Sequence, residues 1–175
     1  MSTVLLMTQI ENLFQSTVSQ ILNTTDQGAV RIEWPTGGAP GWPIDYDVCF
    51  LSINYEDDPY TQQMHTEYSE NDSTTANADL VYTAALRVIF TFYGPDSFDN
   101  ADLVRASLFQ EPYKTTLAQN NLALITNVSM PTRAPELFNG LWWNRTTFFA
   151  RFYELITRNS TVPYIQAATA QVIEG

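Results

Sequence analysis

An α+β fold is predicted: a twisted, mostly antiparallel β-sheet with a long projecting hairpin, packed by an N-terminal helix and a middle helix. Three observations carry this expectation. The first is the stretch from Asp79 to Gln110. Tyr82, Ala84, Leu86, Val88, Phe90 and Phe92 alternate against Thr83, Ala85, Arg87, Ile89, Thr91 and Tyr93, the period-two pattern of a strand with one face buried. Gly94-Pro95 ends that ladder, because Pro has no N–H to donate and Gly tolerates a sharp turn. Phe98, Ala101, Val104 and Leu108 then recur at helical spacing, so a helix over 97–110 must fold back on the sheet to hide its stripe. The second observation is the broad apolar stripe Leu6, Ile10, Leu13, Thr17 and Ile21, which predicts a helix over 3–23. The third is the aromatic alternation of TTFFARFYELITR from Thr146, which predicts a strand covered on both faces.

The elements follow in order within one domain, residues 1–175. Ser2 or Thr3 is placed to cap the first helix. Val30 to Trp34 alternates briefly as a strand. Pro35 to Asp47, with three Pro and three Gly, is an irregular loop whose Trp42 needs cover. Val48 to Tyr55 reads as a strand buried on both faces, with Cys49 as a small apolar filler. Glu56-Asp57-Asp58-Pro59 breaks it. Tyr60 to Ser69 alternates with both faces largely polar, and a polar tip follows from Glu70 to Asn77. A hairpin over about 60–92 results, its distal part an arm beyond the core, since two-faced polar strands are poor core. A short helix over Tyr113 to Asn121, a strand over Leu122 to Val128 and an irregular piece from Ser129 to Asn139 come next. The chain closes with a β-pair over about 146–173, turning at Asn159-Ser160-Thr161.

Composition narrows the function classes. The chain has 175 residues, 45% of them apolar, and no run near the roughly 20 apolar residues of a membrane span. It reads as soluble and unexported, so the N-x-S/T matches at Asn23, Asn71, Asn127, Asn144 and Asn159 are expected to be fortuitous. One cysteine excludes an internal disulfide. The net charge of −11 is uneven: residues 1–102 carry 15 acids against Arg31 and Arg87, whereas residues 103–175 carry 4 acids against 6 bases. Such a surface repels DNA and anionic lipid, while an acidic half and a mildly basic half can attract each other between subunits. Glu56, Asp57 and Asp58 lack the alternating oxygen ligands of a calcium loop, and His65 stands on the arm without a Ser, Cys or Asp constellation. Neither a cofactor nor a metal is expected. The absence of a Gly-rich phosphate loop or a serine elbow argues against an enzyme.

The densest unusual cluster runs from Arg133 to Arg145, RAPELFNGLWWNR. Adjacent tryptophans beside a strand cannot both point one way, so one of Trp142 and Trp143 is core and the other a platform. Tryptophan and arginine dominate binding hot spots, which makes Trp42, Arg133, Phe138, Trp142, Trp143 and Arg145 the expected subunit interface. A glycan- or receptor-binding β-rich module is the competing expectation, since exposed tryptophans can stack on sugars.

Four segments resemble the signatures of phage neck or tail terminator proteins: Phe92 to Asn100 (FYGPDSFDN), Pro135 to Gly140 with Trp142-Trp143, Ala150-Arg151-Phe152, and Trp42 with Val48-Cys49-Phe50 and Asp57 to Tyr60. The resemblance spans about residues 30–175. It implies a small α+β subunit of a ring, commonly a hexamer, which caps the tail tube at its head-proximal end and joins it to the neck or connector. It also implies the tube and connector proteins, and the sheath where there is one, as partners, with no catalytic residues. The virion is the implied location, with assembly in the host cytoplasm. A negative wall suits a conduit that must not hold its DNA, so Glu56, Asp57, Asp58, Glu67, Glu70 and Asp72 are the expected acidic arm or lumen face.

Overall fold

The computed structural model describes residues 4–26, 28–33 and 41–163, with Tyr60 and Gln62 by backbone alone. In chain order the elements are α1 (Met7–Ile21), β1 (Val30–Ile32), β2 (Val48–Glu56), a 3-10 turn (Pro59–Gln62), β3 (Met64–Glu70), β4 (Thr75–Tyr93), α2 (Ser97–Ser107), α3 (Tyr113–Gln119), β5 (Leu122–Ile125), β6 (Thr132–Arg133), β7 (Glu136–Phe138), β8 (Leu141–Trp143) and β9 (Arg145–Pro163). The architecture is the α+β one expected.

Two 19-residue strands form its spine. β4 and β9 pair antiparallel without a break, from Thr75 opposite Pro163 to Tyr93 opposite Arg145. Along the other edge of β4, β2 pairs with its last nine residues and β3 with Ala76 to Tyr82. β2 and β3 therefore lie end to end, separated by the kink at Asp57 to Gln63. β1 adds to β2 in parallel, and β5 and β6 flank the first half of β9. The result is a broad body, ordered β1-β2-β4-β9-β5, and a three-stranded arm, β3-β4-β9.

The core lies on one face of the body. Leu86, Val88, Phe90 and Phe92 sit opposite Phe152, Ala150, Phe148 and Thr146, beside Cys49 and Leu51 of β2. α1 covers this face with Ile10, Phe14, Val18 and Ile21, and α2 with Ala101 and Val104; Leu108 beyond it completes the cover. Phe14 meets Phe152 edge-on at 4.8 Å, and Phe90 stacks on Phe148 at 4.6 Å. Each such buried side chain contributes about 1.5–3 kcal/mol. Cys49 is wholly buried, and burial alone pushes its thiol far above the usual range, as suits a filler.

Gly94 fixes the join between the spine and α2. Its φ of +111° lies in the region that favours glycine, and a Cβ there would stand 2.8 Å from the Asp47 Cα and the Tyr46 carbonyl oxygen. Asp47 Oδ1 accepts the Asp96 N–H at 3.0 Å, so the loop before β2 caps the start of α2. Asp96 and Ser97, both of a type that caps helices, stand at this end. Asp96 is the N-cap residue, but neither side chain caps, and Ser97 Oγ is instead 3.3 Å from the buried Thr146 Oγ1.

Several boundaries depart from expectation. α1 begins at Met7, with Leu6 as N-cap and its N–H donated to Gln9 Oε1 at 2.8 Å. The expected caps Ser2 and Thr3, like Trp34 and the loop residues 35–40, lie outside the described residues. Asn159-Ser160-Thr161 is no turn. These residues continue β9 opposite Asp79, Ala78 and Asn77, with Asn159 Nδ2 donating to Asp79 Oδ1 at 2.7 Å and Ser160 Oγ to the Ala78 carbonyl at 3.2 Å. Long-range pairing has overridden a local preference for a turn. The expected return strand beyond Pro163 falls outside the described residues. The hairpin is paired over Met64 to Tyr82, and its arm gains β9 as a third strand.

Candidate assembly interface

The helix-free face of the sheet carries an aromatic cluster at the end where β4 stops and β9 starts. Trp42 reaches it from the loop before β2 and packs on Phe50 (4.9 Å), Tyr93 (5.5 Å) and Trp143 (5.6 Å). The Arg31 guanidinium lies 5.7 Å from the Trp42 ring. Trp42 Nε1 is buried and has no hydrogen-bond partner among the described residues. Glu136 ties the cluster to the hairpin beside it: its Oε2 accepts the Tyr93 hydroxyl at 2.8 Å and Arg145 Nη1 at 3.4 Å. Burial first, then the bond to Glu136, pushes the Tyr93 hydroxyl up to about 12.

That hairpin, β7 and β8, is the feature sequence reasoning missed, having read residues 129–139 as irregular. Asn139 and Gly140 form its turn with φ of 52° and 77°, the positive values that Asn-Gly adopts readily. The dipeptide was a readable signal. Strand alternation then divides the tryptophans as expected. Trp143 turns inward onto Trp42 and donates Nε1–H to the Phe138 carbonyl at 3.3 Å. Trp142 faces out, 67% exposed, opposite Leu137 at 58%. Phe138 (62%) and Leu141 (54%) add to the apolar surface of this small ribbon.

Of the six residues expected at an interface, the structure gathers Trp42, Phe138, Trp143 and Arg145 in one network. Trp142 lies on the opposite face of the hairpin. Arg133 is elsewhere, its guanidinium stacked 4.5 Å from the Phe98 ring of α2.

The six acids do not share one face. Glu56 is clamped by Arg151 Nε at 2.7 Å, with Arg87 Nη1 at 3.8 Å, and Asp58 accepts the Tyr153 hydroxyl at 3.1 Å. Arg87 also lies 4.3 Å over the Phe149 ring. Asp57 is exposed at the kink. On the arm, Glu67 lies on the helix-free face and Glu70 on the other, by alternation. Asp72 forms the hairpin tip, accepting the N–H groups of Thr74 and Thr75 at 2.7 and 2.8 Å, and the hydroxyls of Thr75 and Thr74, then these backbone bonds, hold its carboxyl well below the usual range. The acidic and basic halves of the sequence are likewise interleaved, because β4 belongs to one and β9 to the other.

One buried carboxylate went unnoticed in the sequence. Glu154 follows Phe148, Ala150 and Phe152 on the inward face of β9 and is 1% exposed. Its Oε2 accepts the Tyr55 hydroxyl at 2.9 Å, while Oε1 has no partner among the described residues. Burial and that bond push the Tyr55 hydroxyl up to about 12. Glu154 sits opposite Ala84, where body gives way to arm. Among the described residues no three His, Cys, Asp or Glu converge as a metal site, and no helix is long and apolar enough to cross a membrane.

A family model described as phage neck terminator protein matches residues 8–175. No curated protein matches the chain.

Proposed function

Since the chain belongs to the phage neck terminator protein family, a structural component of the phage neck, we propose that it acts there as the subunit of a closed ring. In this reading the ring is a hexamer at the head-proximal end of the tail. It terminates the tail tube, joins it to the neck or connector, leaves a channel for the genome and carries out no chemistry. Its partners are copies of itself, the tube and connector proteins, and the sheath where there is one. It assembles in the host cytoplasm and remains in the virion.

The observation that supports this most is the β7–β8 ribbon, which sets Leu137, Phe138, Leu141 and Trp142 in solvent beside the edge-on Trp42–Trp143 contact. A ribbon with little core of its own that displays a tryptophan is suited to a neighbour's surface. A ring requires one patch to meet a different patch, so this ribbon would seat on another part of the next subunit. The acidic surface, net −11, would let DNA slide without being held. Mass measurement of the purified protein, alone and with tube protein, tests the proposal. A particle of fixed copy number is expected, and a strict monomer under both conditions would overturn it.

A further inference from the structure

We infer that the arms of neighbouring subunits join edge to edge, the outer edge of β3 in one copy pairing in parallel with the distal part of β9 in the next. This rests on the ring reading above and assigns one of the surfaces that closes it.

Among the described residues, β3 pairs with β4 alone. β9 pairs with β6 and β5 only as far as Glu154, so over 158–163 its partner among the described strands is β4 alone. Among the described residues the arm therefore carries an unpaired strand edge on each side, of a length that monomeric proteins ordinarily shorten or cover. The two edges differ in charge. β3 carries Glu67 and Glu70 with no Lys or Arg, whereas residues 158–163 carry Arg158 and no acid. Each edge disfavours a copy of itself and favours the other, which selects a head-to-tail contact over a twofold one.

Geometry sets the direction and the register. β3 and β9 are both antiparallel to β4, so they run the same way, and arms standing side by side about a rotation axis meet in parallel. Within one arm, Thr66, Leu80 and Arg158 form a lateral row, and Glu70 lies four residues beyond Thr66 on the same face. A four-residue stagger is about 13 Å along the strands against about 14 Å across three of them, a tilt of roughly 40°, within the range of closed barrels. That stagger places Arg158 of one copy beside Glu70 of the next. One face of the joined arms would carry His65, Glu67, Ser69, Asn77, Asp79 and Asn159, a polar and acidic lining.

The test uses the full chain. The natural cysteine, Cys49, is buried, so Glu70→Cys with Arg158→Cys reports on this contact alone. Mild oxidation of the double variant is expected to give a ladder of covalent multimers, and neither single variant should. Glu70→Arg and Arg158→Glu should each weaken association about tenfold, and combining them should restore it. Circular dichroism checks that each variant folds. A ring by mass that gives no ladder and no rescue would overturn the arm contact and leave the ring reading standing. A strict monomer with and without tube protein would overturn both.

Discussion

The two halves of the β4–β9 pair share one unbroken hydrogen-bond ladder and differ in almost everything else. In the body, the inward face presents Leu86, Val88, Phe90 and Phe92 against Phe148, Ala150 and Phe152, and two helices close over it. In the arm, the same face presents Ala76, Ala78 and Leu80 against Val162, Ser160 and Arg158. Ala76 and Ala78 are small buried side chains on the strand between β3 and β9. Ladder hydrogen bonds replace bonds to water and contribute little net, so the body supplies the stability and the arm borrows it. What the arm keeps in exchange is open edges and polar faces, which a core element cannot have.

The sharpest way to break this contrast is a matched pair of truncations. Phe152→Ala in the body is expected to cost about 3–5 kcal/mol by chemical denaturation, and Leu80→Ala in the arm under about 1 kcal/mol. Similar losses would mean that the arm is part of the core. Gly94→Ala, at the end of the body, is expected to cost about 2–3 kcal/mol, because the added Cβ meets backbone at 2.8 Å in a conformation that suits glycine. A midpoint unchanged from the parent would show that the turn relaxes freely.

At the junction, Tyr55→Phe removes the hydrogen bond to Glu154 and leaves that buried carboxylate with no partner among the described residues. A loss of about 1–2 kcal/mol is expected, and a neutral result would mean that Glu154 has found another donor. The smallest effect is at the arm tip. The Asp72 carboxyl is held low by its bonds to Thr74 and Thr75, so its contribution is complete above the ordinary carboxylate range and is lost as pH falls below it. Amide protection at 71–75, corrected for intrinsic exchange, should fall on acidification in the parent. In Asp72→Asn it should be low and insensitive to pH, with the global midpoint unchanged in both.

The same contrast explains what was legible in the sequence. Where a face is buried, alternation is strict, and α1, α2 and the proximal half of β4 were readable to within a few residues. In the arm no core enforces a pattern. Asn159-Ser160-Thr161 looked like a turn, although pairing with Asn77 to Asp79 keeps it extended. The split of Trp142 from Trp143 followed from strand geometry, and the Asn139-Gly140 hairpin was readable from its turn residues. Glu154 was also marked, as the one charge in the inward row Phe148, Ala150, Phe152, Glu154 and Ile156. The fate of the acids was hidden, because the partners of Glu56 and Asp58, Arg151 and Tyr153, are 95 residues away and reach them only through the β2-β4-β9 order. For the same reason a charge split along the chain did not become two charged flanks.

The central claim, that this fold works as one subunit of a ring, is tested most directly by measuring particle mass for the parent and Trp142→Asp side by side, each alone and with tube protein. A defined oligomer in the parent, with the variant equally stable but shifted toward monomer, is the expected result. A parent that stays monomeric in every mixture would contradict it.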